Sequence, residues 1–147
     1  MSNEAGGHRN QRALAGYQRI RNESLVNNNS PQQLILLVYE ALIDKLVKLE
    51  YTMASADGST GEDKDKDFAD QLLRVMQLIQ YGLRDSLSFD SGGEVALNLD
   101  KTYVSWIMTL EFLATSRRPD RLAKLIDTVR DMRDTWKTAF ASLAGAG

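Results

Sequence analysis

The chain has 147 residues, 43% of them hydrophobic and 26% charged, with a formal net charge of −2 and a pI near 5.4. Those figures describe one soluble domain and exclude the global basic field that draws a protein to nucleic acid or an anionic membrane. There is no Cys, hence no disulfide or thiolate zinc site, and the single His8 excludes multi-His metal sites and nucleophile–His pairs.

Residues 1–29 are polar and Asn-rich, ending in Asn27-Asn28-Asn29. They carry four Arg against two Glu, a charge of +2, so the remainder carries −4. The start lacks the basic-then-apolar layout of a signal peptide. The longest apolar run, Leu34–Tyr39, is far short of the ~20 residues of a membrane span. The expectation is a cytoplasmic protein whose first 29 residues are flexible and partly disordered. Within them Tyr17 and Ile20 stand out as large apolar groups three residues apart, with nothing local to bury them.

From residue 30 onward the apolar residues recur at three and four, the period of amphipathic helices. The first helix opens at Ser30-Pro31-Gln32-Gln33: an N-cap serine, a proline suited to the first helical position, and a glutamine completing a capping box. Its core stripe is Ile35, Val38, Leu42, Leu46, Leu49 and Met53. Residues 55–66 read as a solvated loop. Within and beyond it, Asp63-x-Asp65-x-Asp67 is similar to a calcium loop but has Phe68 where glycine is needed and Arg74 where glutamate is needed, so no metal is expected.

A second helix is predicted from about Asp67 to Leu87, with Phe68, Leu72, Val75, Ile79, Leu83 and Leu87 inward. The third opens at a Ser91-Gly92-Gly93-Glu94 box and buries Ala96, Leu99, Tyr103, Trp106, Leu110 and Leu113. The fourth follows Pro119-Asp120 and buries Leu122, Leu125, Val129, Met132, Trp136, Ala139 and Leu143. Four helices of matched length with short connections predict an all-α fold, an antiparallel up-down four-helix bundle over residues 30–147 behind a flexible segment at 1–29. No inward-facing carboxylate or histidine cluster serves a reaction, so no enzyme, cofactor or metal is expected.

The first helix carries a second apolar stripe: Leu36, Tyr39, Ile43, Val47 and Tyr51 lie about a quarter-turn from the first. Two readings stand side by side. A bundle helix touches two neighbours and needs a wide apolar face; alternatively, part of the stripe lines a groove for another chain. The stripe can be core at one end and groove at the other. Tyr103 could present a polar edge to the same groove.

Four blocks together resemble the FliS family: Ser30-Pro31 with Leu34-Ile35, Tyr39 and Leu42; Ile79 to Leu87 around Gly82-Leu83; Gly92-Gly93-Glu94-Val95-Ala96 with Asn98-Leu99 and Tyr103; and Val129, Met132-Arg133, Trp136. Ala15-Gly16-Tyr17 is similar to the family's N-terminal tyrosine segment. Val38 and Thr102 depart from its usual Leu or Met and Leu, the 55–66 loop is long, and the tail before Ala15 is longer than usual.

The resemblance implies a cytoplasmic chaperone that binds the C-terminal segment of flagellin, prevents premature polymerisation and aids delivery to the flagellar type III export gate. It also implies that the N-terminal segment can cover part of the client surface. From the stripe itself the expected groove is Leu36, Tyr39, Ile43, Val47 and Tyr103, and Tyr17 and Ile20 are either simply exposed or docked over it as a cap. The alternative is a helical adaptor for another flagellar regulator, such as an anti-sigma factor or a co-chaperone.

Overall fold

Ser30 caps the first helix as the sequence predicts. In the computed structural model, which describes residues 30–55 and 62–146, the Gln33 N–H donates to Ser30 Oγ at 3.2 Å. The Ser30 N–H donates back to Gln33 Oε1 at 2.9 Å. This reciprocal box satisfies two of the N–H groups that a helix start leaves unpaired. Helix α1 then runs Pro31–Ala54.

Helix α2 spans Glu62–Leu78 and continues as a π turn over Ile79–Arg84. It begins five residues before the expected Asp67, inside the stretch read as loop. Asp63 favours the earlier start, since a carboxylate in a first turn is stabilised by the positive end of the helix dipole. The π turn is marked by the Asp85 N–H donating to the Gln80 carbonyl at 2.9 Å.

Helix α3 runs Phe89–Thr115, with one break at Gly93 (φ 54°, ψ −128°). The expected Ser91–Glu94 capping box does not form: the helical path already starts at Phe89, and Ser91 Oγ donates to Ser88 Oγ at 2.7 Å. Helix α4, Pro119–Ala146, takes in the Pro119-Asp120 pair that it was expected to follow.

Each helix packs beside its neighbours in sequence, and α1 closes the ring against α4. Antiparallel pairing of α2 and α3 is pinned at both ends, by Arg84 on Asp100 and by Arg117 on Asp65 and Phe68. One core unites the four stripes, and among its fully enclosed side chains are Leu42, Leu46, Leu72, Leu110, Leu122 and Val129. Trp136, expected in the core, is only partly buried against it. Ala139 and Leu143, expected inward, are exposed because α4 extends past the end of its partners' stripes. Tyr17 and Ile20 lie outside the described residues.

A side chain held at a positive φ in a region almost exclusive to glycine costs about 1–3 kcal/mol. Gly93→Ala should therefore lower the free energy of unfolding by that amount in urea titrations, with an unchanged m-value.

Candidate functional site

The structure divides the second stripe of α1 along its length. Tyr39 and Ile43 are inside, at 0% and 5% exposure, while Leu36 is half-buried and Val47 and Tyr51 reach solvent at 37% and 74%. Tyr103 is also enclosed. Three of the five residues expected to line a groove (Tyr39, Ile43 and Tyr103) therefore belong to the packed interior. Leu36 and Val47 stay at its edge.

The two enclosed tyrosines face each other across the bundle. Tyr39 Oη and Tyr103 Oη are 2.8 Å apart, joining α1 to α3, which are diagonal partners rather than neighbours. Trp106 packs its edge against Tyr39, with centroids 6.3 Å apart at 89°, and lies 5.2 Å from Tyr103. Trp136 stacks on Phe140 at 5.4 Å, and its buried indole N–H finds no well-aligned acceptor among the described residues.

Burial first, then Tyr103, pushes the Tyr39 phenol far above its ordinary range, and the nearby Trp136 indole offsets this only slightly. Burial raises Tyr103 as well, against a small lowering from its bond to Tyr39. Neither hydroxyl ionises at physiological pH, so the pair works as a neutral clamp and offers no general base.

A second apolar surface is one that the sequence reading missed. Leu97, Met108 and Phe112 of α3 are 53%, 61% and 43% exposed, with Val104 half-buried among them. At 100° per residue these four fall on one arc roughly opposite the stripe of Tyr103 and Leu110. Their spacing of seven, four and four was the available signal, the same one that reveals the second stripe on α1. Leu37 of α1 and Phe89 and Val95 at the start of α3 add further exposed apolar groups.

Charged contacts hold the helices that carry these surfaces. Arg84 grips Asp100 through Nε at 2.7 Å and Nη2 at 3.3 Å, and its Nη1 donates to Gln80 Oε1 on the π turn. Arg133 of α4 donates to Glu40 of α1 at 3.2 Å, with Lys137 Nζ 3.9 Å from the same carboxylate. Among the described residues no three His, Cys, Asp or Glu groups gather as metal ligands would. No helix among them is long and apolar enough to cross a membrane.

The family model for the flagellar protein FliS matches residues 13–143. The chain belongs to the FliS family. It is 21% identical over 124 residues to the flagellar secretion chaperone FliS of Vibrio cholerae, covering 84% of this chain and 85% of the relative. Identity is 26% over 125 residues to the flagellar secretion chaperone FliSB of Pseudomonas aeruginosa, covering 85% and 93% of the two chains. With the Salmonella typhimurium flagellar secretion chaperone FliS it is 28% over 129 residues, covering 84% and 87%. Membership places the protein among flagellar export chaperones, a family of binders with no catalytic step.

Removing one hydroxyl of the buried pair strands the other. Tyr39→Phe or Tyr103→Phe alone should cost about 1–3 kcal/mol, whereas the double variant should lie nearer the parent because no polar group is left unpaired. Both phenols have raised pKa values in the fold, so the stability they confer is complete below the ordinary tyrosine value. It is lost as pH rises beyond about 10, towards the folded-state values. Denaturant midpoints for the parent should fall across that alkaline window, and those of the double variant should fall less.

Proposed function

We propose that this FliS-family chaperone takes the C-terminal segment of a flagellin as its client, in the cytoplasm, holding it unpolymerised until it passes to the type III export apparatus. The observation that carries the reading is the apolar surface left open by a bundle whose core is complete. Leu97, Met108 and Phe112 on α3, and Val47 and Tyr51 on α1, contribute nothing comparable to the interior, yet they sit in line along helices as contacts for another chain would. The family and the names of the relatives supply the client class. Leu36 and Val47 remain as contact residues from the expected groove. Tyr39, Ile43 and Tyr103 serve it from beneath, by fixing the helices.

A client that is disordered until bound spends ordering free energy on docking, which holds affinity to a level compatible with later release. The acidic body and the +2 charge of residues 1–29 support a self-covering role for that segment through Tyr17 and Ile20. A segment closed for nine-tenths of the time would weaken the measured affinity about tenfold.

Titration calorimetry with a flagellin C-terminal peptide tests the reading. Leu97→Asp and Met108→Asp should each weaken binding by tenfold or more, about 1.4 kcal/mol, while leaving thermal stability unchanged because both positions are exposed. Unchanged affinity in both, together with unchanged affinity in Val47→Asp, would sink the assignment of these surfaces. Failure of the parent to bind any flagellin peptide would sink the client.

The double variant Tyr17→Ala/Ile20→Ala should tighten binding by up to about tenfold. Weaker binding instead would mean that these residues touch the client.

A further inference from the structure

At the end of the bundle far from Ser30, the last turn of α1, the first turns of α2 and the α3–α4 connection enclose a pocket of about 140 Å³. Tyr51, Thr52, Lys64, Asp67, Phe68 and Arg117 are among its walls. Phe68 belongs to the core at 2% exposure, whereas Tyr51 stands largely in water. The guanidinium carbon of Arg117 lies 4.3 Å from the centre of the Phe68 ring, so one face of the cation is stacked.

The donors of Arg117 are underused. Nη2 donates to Asp65 Oδ1 at 3.0 Å, and Nε and Nη1 donate to nothing among the described residues. A guanidinium presents five N–H donors in a planar fork that matches a carboxylate. Asp65 is 69% exposed, so its single contact is one that water and salt weaken readily. Asp67 is engaged differently, its Oδ2 accepting from Gln71 Nε2 at 3.0 Å. Thr52 Oγ1 is likewise directed at Lys48 O and Gln71 Oε1. The group in this pocket with donors to spare is therefore a stacked arginine whose one ionic partner is exposed.

We propose that this pocket binds a carboxylate carried on a short apolar stem, with Arg117 as its fork, Lys64 as a second cation in the wall, and Phe68 and Tyr51 against the stem. Arg117 is already paired with Asp65, so the incoming group exchanges with Asp65 instead of adding a further charge beside it. Asp65 is thus an internal stand-in for the ligand. Two sources carry this chemistry, the terminal α-carboxylate of a bound chain and an acidic side chain within one. The inference stands whether or not a flagellin is the client.

The test follows the Arg117 Nε–H and Phe68 ring resonances of the full chain by NMR during titration with N-acetyl-leucine, N-acetyl-leucinamide, N-acetylglutamate α-methylamide and inorganic phosphate. Saturable shifts with Kd on the order of 1 mM are expected for the two carboxylates and not for the amide. Tighter binding of N-acetyl-leucine assigns the site to a chain end, and tighter binding of the glutamate compound assigns it to a side chain. Asp65→Asn should tighten carboxylate binding about two- to fivefold, the factor a surface ion pair of this kind is worth. Arg117→Gln should abolish it with helicity unchanged. Equal response to acid and amide, an equal response to phosphate, or no tightening in Asp65→Asn would each overturn the proposal.

Discussion

The hydrogen bond between the Tyr39 and Tyr103 hydroxyls fixes the rotation of two helices that never meet as neighbours. A buried hydroxyl without a partner is costly, so both rings must point at the bundle axis and meet there. Once Tyr39 faces inward, the geometry of an α-helix turns Val47 and Tyr51 towards the flank of α1. Once Tyr103 does so, Leu97, Met108 and Phe112 are turned away from the core. The open apolar surfaces are in this sense a consequence of the interior, because the residues that choose the inward faces also choose the outward ones.

Much of this was legible in the sequence because it is local. Ser30 and Gln33 announce a helix start three residues apart, and the stripes of α1 and α2 mark most of their buried faces, with Ile35, Met53 and Leu87 only partly buried at the ends. The split of the second α1 stripe into a buried part at Tyr39 and Ile43 and an open part at Val47 and Tyr51 also agrees with a stripe that is core at one end and surface at the other. What escaped was non-local or depended on phase. The tyrosine pair joins residues 64 apart, and nothing in the spacing of either helix identifies its partner.

The π turn is a matter of phase. Val75, Ile79, Leu83 and Leu87 follow one another at four residues, and each such step carries an α-helix about 40° past a full turn. Three steps would swing Leu87 by about 120° from Val75. The wider turn at Ile79–Arg84 absorbs part of that drift and keeps Ile79 and Leu83 enclosed at 0% and 2% exposure. A run of fours thus marks where a helix either widens, as at Ile79–Arg84, or carries its stripe out of the core, as from Tyr39 to Tyr51. The Ser91–Glu94 box misled for a related reason: it describes a helix start, but Gly93 stands at a positive φ inside the helical path, and Ser91 turns to Ser88.

A chaperone that must hold and then release its client benefits from keeping binding apart from folding. Core truncations in a bundle cost about 2–5 kcal/mol, a large share of the roughly 5–15 kcal/mol that stabilises a whole domain. If the enclosed residues made the contacts, each binding event would disturb the fold. Here Tyr39, Tyr103 and Leu110 hold the bundle, while Leu97, Met108 and Phe112 stand outside it on the same helix as two of them. Arg84 on Asp100 ties that helix to the π turn, and Arg133 on Glu40 ties α4 to α1. On the proposed reading, contacts made at this surface leave the core residues out of the interface, and exposed substitutions there can tune affinity at little cost to stability. The relatives share only a quarter or so of their residues with this chain, and exposed positions of this kind are where substitution costs a fold least.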